Sequence, residues 1–264
     1  MYTHEWRNAL RFYSLLPHTA SLTHAGLTVL SSTEFGGFRP AAIRFLRGLA
    51  RNNRRDWFEA QRETYEGEVL QPLLALLEEV DVRLAVVAPE LLADRKRSVF
   101  RIYRDVRFSK DKSPYKTHAA FWIGHRALGT GGVHGGAGLY FHLEPNASIV
   151  AAGMWMPPTP ALARIRLALT EDLAGFERAR RAARRTYGEL SDEAVLVRPP
   201  RGYAADHPAA EWLRYRSFTV SHAIPASALQ RADLPDWLAR AYRPAIPLVR
   251  WLNGAVGLPA ASRR

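Results

Sequence analysis

The stretch GLYFHLEPNASIVAAGMWMP, residues 138–157, contains the pattern that decides the fold. Two runs rich in aromatic and β-branched residues lie on either side of Pro145-Asn146, and such runs around turn residues predict an antiparallel hairpin. The runs SVFRIYRD (98–105) and THAAFWIGH (117–125) precede it and have the same character. The four runs together predict an antiparallel meander.

The segments on both sides of this meander have a helical pattern. In PAAIRFLRGLA, the residues Ile43, Leu46 and Leu49 recur at helical spacing, and TPALARIRLAL and FERARRAARRTYGEL follow the meander. AVLVRPP (194–200) and YRSFTVSHAIP (215–225) predict two further strands, and DLPDWLARAYRPAIPLVRWLNG predicts a helical end. Strands grouped between helical segments predict an α+β fold, with an antiparallel sheet of about five strands packed against N-terminal and C-terminal helices.

The domain boundaries follow from where this patterning starts and stops. Residues 1–34 have no clean period and no secretory signal pattern, so they predict a poorly ordered N-terminal extension. Residues 35–258 contain no repeat and no linker, and they predict a single domain that is followed by a tail at 259–264.

Composition excludes several classes of protein. The 264 residues include no cysteine, which excludes disulfides, thiolate zinc sites, iron–sulfur clusters and cysteine nucleophiles. No run approaches the roughly eighteen apolar residues of a membrane-spanning helix, so we expect a soluble, cytoplasmic protein and no membrane partner. The net charge of +12 favours polyanionic partners, although a basic surface that contacts only solvent explains the same charge.

The positive charge is most concentrated in RDVRFSKDKSPYKTH, residues 104–118. Between positions 95 and 118 the chain has nine Lys or Arg and only two acids, Asp105 and Asp111. Pro114 restricts the backbone, and arginine, lysine and hydroxyl groups are the donors that phosphate and carboxylate prefer. The alternative is that the two acids pair with these cations and pin the loop. We predict a site for an anionic small molecule or another phosphate-bearing ligand at Arg104, Arg107, Ser109, Lys110, Lys112, Tyr115 and Lys116.

The sequence gives few indications of catalysis. Asp105 and Asp111 are weak candidates for a general acid or base, since ion pairing explains both, and an enzyme acting on a phosphorylated or carboxylated small molecule is an alternative. The Gly-rich stretch at 129–138 joins two strands and has no Gly-Lys-Ser/Thr, so it predicts a hairpin tip and no nucleotide cofactor. Four histidines lack the spacing of metal ligands, and no metal is predicted at His118, His125, His134 and His142.

The same loop is also compatible with a nucleic-acid-binding protein. Tyr103, Phe108, Tyr115 and Trp122 are interleaved with the cations, as stacking platforms on a basic groove are. The arginines of FERARRAARR would add further contacts to the backbone phosphates of a nucleic acid. Aromatic residues in strands are usually core, however, and no known nucleic-acid-binding motif is present. Nucleic acid is therefore the third interpretation.

Six motifs occur along the chain: FLRGLARNNRRDWFEAQRETYE, RIYRDVRFSKDKSPYKTH, LYFHLEP, GMWMPP, PRGYAADHP and PLVRWLN. Together they resemble the DUF2461 family of uncharacterised bacterial and fungal proteins, over nearly all of residues 35–258. RFSKDKSPYK is the most specific of these signatures, and the resemblance implies no activity, substrate or catalytic residue. It implies that the positions matching the family motifs are Asn52, Asn53, Arg55, Trp57, Arg62, Arg104, Asp105, Arg107, Phe108, Ser109, Lys110, Asp111, Lys112, Pro114, Tyr115 and Lys116.

Overall fold

The computed structural model describes residues 34–107, 109–131 and 135–261. Nearly all of the extension predicted at residues 1–34 lies outside this range, as do Phe108 and His134. Within it, no helix is both long enough and apolar enough to cross a membrane. The cytoplasmic location and the domain boundaries at 35–258 stay predictions.

Five strands form one antiparallel sheet, which confirms the predicted α+β class. They are β1 (Leu91–Leu92), β2 (Ala119–His125), β3 (Gly138–Leu143), β4 (Ile149–Met154) and β5 (Phe218–Ala223). Their order in the sheet is the order in the chain, and every neighbouring pair is antiparallel. The predicted meander is therefore present, because each strand returns beside the one before it.

Helices from both ends of the chain pack on this sheet. The N-terminal part forms α1 (Pro40–Arg51), α2 (Arg55–Ala60) and α3 (Gln71–Ala85), with a π-helical segment at Tyr65–Leu70. The C-terminal part forms α4 (Thr159–Glu171), α5 (Leu173–Tyr187), α6 (Leu234–Tyr242) and α7 (Ile246–Ala255). Shorter helical segments lie at Arg62–Thr64, Ala210–Leu213 and Ala226–Leu229.

Local chemistry explains both ends of α5. The Asp172 carboxylate accepts a hydrogen bond of 2.9 Å from the Gly175 N–H, which satisfies a donor that the first turn of a helix leaves free. Gly188 follows the last turn with φ of +79°, a conformation that glycine adopts without steric cost.

The two faces of the sheet have different partners. Phe121, Phe141 and Val220 share one face and belong to the main core with the helices. Because side chains alternate along a strand, Ala120 and Tyr140 point the other way, where they pack with Phe100 and Trp122 in a smaller cluster. The candidate site lies on this second face.

Two predicted strands are largely absent. Residues 98–105 form only isolated bridges, because three residues separate Val99 from Tyr103 whereas five separate their partners Phe121 and Tyr115. Pro114 has no N–H to extend the pairing beyond Arg104. Residues 194–200 form a single bridge, Val195 to Tyr215, and their two prolines remove further donors. The two-residue strand β1 was not predicted, since Leu-Leu alone is too short to show alternation.

Candidate functional site

The basic loop is defined as residues 104–107 and 109–116. It lies at the end of a two-segment ribbon that extends from β2, in which the segment from Ser98 to Arg104 pairs with the chain between Pro114 and Trp122. At its base the Arg104 N–H donates to the Pro114 carbonyl at 2.8 Å, and the Lys116 N–H donates to the Ile102 carbonyl at 2.7 Å. These two bonds bring the ends of the loop together and place Arg104 and Lys116 beside each other.

Asn53 and Phe58 hold this ribbon against the helical layer. The Asn53 amide donates to the Tyr115 carbonyl at 2.9 Å and accepts from the Tyr115 N–H at 3.0 Å. The Tyr115 ring stacks on Phe58 with 4.2 Å between centroids, and it is buried. Tyr115 is thus a core residue, and its ring anchors the loop from below.

Removing the Asn53 amide is expected to loosen the loop. Asn53→Ala breaks two part-buried hydrogen bonds, so we expect the free energy of unfolding to fall by roughly 2 kcal/mol and trypsin to cut faster at Lys110 and Lys112. Urea unfolding and limited proteolysis measure both effects. Asn52→Ala is the matched control, because the Asn52 side chain donates to the Gly48 carbonyl of α1 and makes no hydrogen bond to the loop residues that the structure describes. Equal losses in the two variants would contradict the anchoring role.

Both acids of the basic loop form ion pairs. Arg107 binds the Asp105 carboxylate through two nitrogens, at 3.0 and 2.6 Å, which lowers the pKa of Asp105 to about 2. Arg104 pairs with Asp111 and also donates to the Ser113 hydroxyl at 2.9 Å. Hydrogen bonds from Ser113, and then the pair with Arg104, hold the pKa of Asp111 below its usual range. At neutral pH both acids are therefore carboxylates engaged by cations.

Pairing does not bury these two arginines completely. The Arg107 side chain is 52% exposed and the Arg104 side chain is 18% exposed, so Arg107 is open to solvent and Arg104 is partly accessible. The Lys112 ammonium donates to the Val106 carbonyl at 2.9 Å, Lys110 is exposed, and Ser109 is half-buried. The predicted ligand-binding residues other than Tyr115 thus line the outer part of the loop and its base.

Lys116 differs from the other cations of the loop because it is half-buried and has no acid as a partner among the described residues. Its ammonium donates to the Arg101 carbonyl at 2.9 Å and lies 5.4 Å from the centre of the Phe100 ring. Burial, followed by the nearby charges of Arg101 and Arg104, lowers the pKa of Lys116 to about 8. Within the part of the chain that the structure describes, no carboxylate forms an ion pair with it.

A pair of histidines lies next to Lys116 on the second face of the sheet. The rings of His118 and His142 stack with 4.3 Å between centroids. In its neutral form, His142 accepts from the Tyr140 hydroxyl at Nδ1 (3.0 Å) and donates from Nε2 to the Glu144 carboxylate (3.1 Å). Sequence reasoning did not place these groups in the site, although the two-residue spacing from Lys116 to His118 indicates a shared face.

His125, the histidine of β2, has a structural role. His125 is buried, with Nε2 3.0 Å from the Pro259 carbonyl and Nδ1 accepting from the Ala127 N–H at 3.2 Å. Across residues 34–107, 109–131 and 135–261, no group of three or more His, Asp or Glu is placed to hold a metal ion.

The arginine-rich helix α5 is separate from the basic loop. It packs on β5 and α7, whereas the loop extends from β2, three strands away. At the usual strand spacing this separates them by roughly 14 Å across the sheet. Arg180 stacks over Trp212 and pairs with Glu177, while the exposed arginines of the helix are Arg178, Arg181, Arg184 and Arg185.

Comparison of the sequence with known protein families gives a match. The family described as "Conserved hypothetical protein (DUF2461)" matches residues 41–251, which include the basic loop and its anchors. The chain therefore belongs to the DUF2461 family, and the resemblance found in its motifs is confirmed. No curated protein matches the chain, and no solved structure matches it.

Proposed function

We propose that the protein binds a phosphate-bearing ligand at the basic loop, with Lys116 at the centre of the site and Arg104 beside it. The supporting observation is the half-buried ammonium of Lys116, which lies close to two guanidinium groups and has only a carbonyl and an aromatic ring as partners among the described residues. Arg107, Ser109, Lys110 and Lys112 complete the rim.

The energetics favour an anion in this position. A charge that is partly removed from water and has no counter-ion is unfavourable, and neighbouring positive charges add to that cost. A phosphate group offsets both contributions, because its oxygens accept from the free N–H groups of Lys116 and Arg104. Ligand binding at such a site is favourable because it neutralises the positive charge of Lys116, which destabilises the free folded protein.

Titration calorimetry with phenyl phosphate tests this proposal. We expect Lys116→Met to weaken binding by at least about tenfold, since it removes the central charge and changes little else in volume. Lys96→Met is the matched control, because Lys96 is an exposed lysine outside the loop and the variant has the same net charge. Equal affinities for the wild type and both variants would overturn the proposal.

A second candidate is an enzyme that acts on a phosphorylated or carboxylated small molecule. The favouring observation is the hydrogen-bonded chain from Tyr140 through His142 to Glu144, next to the cations. Asp105 and Asp111 are less suited to proton transfer, because their pairs with arginine lower the pKa of both carboxyls. Release of nitrophenol from nitrophenyl phosphate by the wild type, and its loss in His142→Gln, would favour this candidate.

Nucleic-acid binding is a third candidate, favoured by the exposed arginines of α5. A single strand that contacts both α5 and the basic loop has to cross the width of the sheet. Fluorescence anisotropy of labelled single- and double-stranded oligonucleotides tests it, with Lys110, Lys112 and Lys116 changed together to alanine. If the affinity falls steeply with salt and is much lower for the triple alanine variant, nucleic-acid binding becomes the favoured function.

A further inference from the structure

His118 lies where a ligand bound to Lys116 meets it. Ala120 and Phe100 belong to the cluster on the second face of the sheet, and Lys116 lies over the Phe100 ring while His118 stacks on His142, so Lys116 and His118 lie on this face too. His118 is half-buried, and none of the residues that the structure describes forms a hydrogen bond with its ring nitrogens. Its stacking partner His142, in contrast, uses both of its ring nitrogens.

Among the described residues, the charged and titratable groups around His118 belong to two elements. The ribbon contributes Lys116 and Arg104, and β3 with the residue that follows it contributes Tyr140, His142 and Glu144. Burial, followed by His142, Lys116 and Arg104, holds the pKa of His118 well below its usual range. In the free protein His118 is therefore a neutral imidazole at pH 7, beside a cluster of cations.

We propose that this site selects a phosphate monoester dianion over a diester or a carboxylate, and that His118 takes up a proton as the dianion binds. This inference rests on the proposed phosphate site and names its ligand class. A ligand that carries two negative charges offsets the field of Lys116 and Arg104 at the His118 ring, and the resulting imidazolium donates to a ligand oxygen.

The three classes of anion differ in what they offer these donors. A phosphate monoester has a charge of about −1.5 to −2 at neutral pH and three terminal oxygens, one for each of Lys116, Arg104 and His118. A phosphodiester has one charge, and a carboxylate has one charge and two oxygens. Because only the dianion offsets enough positive charge to stabilise a protonated His118, the monoester gains a contact that the others lack.

Calorimetry on the wild-type protein tests the proton uptake without any substitution. Sulfate is the probe for this step, since it is a tetrahedral dianion that does not titrate near pH 7. Measuring its binding at pH 7 in two buffers with different heats of ionisation gives the number of protons taken up. We expect an uptake of at least about half a proton, most of it at His118, because Lys116 is already largely protonated at pH 7.

Affinities for phenyl phosphate, dimethyl phosphate and benzoate test the selectivity. We expect the monoester to bind at least about tenfold more tightly than the other two. His118→Gln is expected to reduce both this preference and the proton uptake, whereas His222→Gln, which changes an exposed histidine of β5, leaves them unchanged.

The possible failures are distinguishable. If no tetrahedral anion binds to the wild type, the phosphate site itself is wrong. If phenyl phosphate and dimethyl phosphate bind equally well and sulfate binding takes up no proton, the phosphate site stands and the role of His118 is overturned. The wild-type measurements decide this even if His118→Gln does not fold.

Discussion

Phe58→Ala is expected to lower the free energy of unfolding by about 3–5 kcal/mol, the usual cost of removing a buried phenylalanine ring. Phe58 is almost completely buried, stacks on Tyr115, and lies 5.4 Å from Tyr65 and 6.2 Å from Phe45 between ring centroids. The variant therefore leaves a cavity and also removes the surface on which the ribbon rests. Urea unfolding of the purified variant measures the loss.

Phe58→Leu is the matched control for this prediction. Leucine keeps most of the apolar volume, so it is expected to cost less than about 1.5–2 kcal/mol while it loses the stacking with Tyr115. Both variants are expected to weaken phosphate binding in proportion to their effect on the ribbon. A loss for Phe58→Ala no larger than that for Phe58→Leu would contradict the cavity cost, and phosphate binding by Phe58→Leu as tight as that of the wild type would show that the stacking does not support the loop.

Lys116→Met is expected to act in the opposite direction on stability. Burial and nearby cations lower the pKa of Lys116 from its ordinary value of 10.5 to about 8, which corresponds to a cost of roughly 3 kcal/mol in the folded state at pH 7. The lost hydrogen bond to the Arg101 carbonyl returns about 1 kcal/mol. Because solvent screens part of the charge of this half-buried side chain, we expect the variant to gain no more than roughly 2 kcal/mol at pH 7 in the absence of anions.

The pH dependence of this gain identifies its cause. Between about pH 8 and pH 10 the unfolded wild type binds more protons at Lys116 than the folded protein, so wild-type stability rises with pH. The methionine variant lacks this contribution, and the difference between the two proteins is expected to shrink across that window. Urea unfolding at intervals from pH 7 to pH 9.5 measures it. A difference in the free energy of unfolding that stays constant with pH, or a variant less stable than the wild type at pH 7, would contradict the lowered pKa of Lys116.

Local sequence patterns were sufficient for the fold class. The runs around β2, β3 and β4 show β-branched and aromatic composition with turn residues between them, and each became a strand of the meander. The failures have causes that a composition pattern does not contain. The unequal spacing of the Val99–Phe121 and Tyr103–Tyr115 bridges interrupts the ladder at 98–105, and 194–200 forms one bridge at Val195 before its two prolines.

The candidate site depended more on tertiary contacts. The cations of the loop were predicted from charge density, but their pairing was not, because it requires the loop conformation that brings Arg104 to Asp111. Asn53 contacts Tyr115 across 62 positions of sequence, so neither residue indicates the other. His118 was accessible to sequence reasoning through its spacing from Lys116, whereas the stacking on His142 also depends on the register of β2 with β3.

The most direct test of the central claim is the stability of the wild-type protein in phosphate and in chloride at equal ionic strength and pH 7. An anion that binds only the folded state raises the free energy of unfolding with the logarithm of its concentration once the site fills. A site at Lys116 predicts this rise for phosphate and its absence in Lys116→Met. Identical stability of the wild type in the two salts at all concentrations would contradict the anion site.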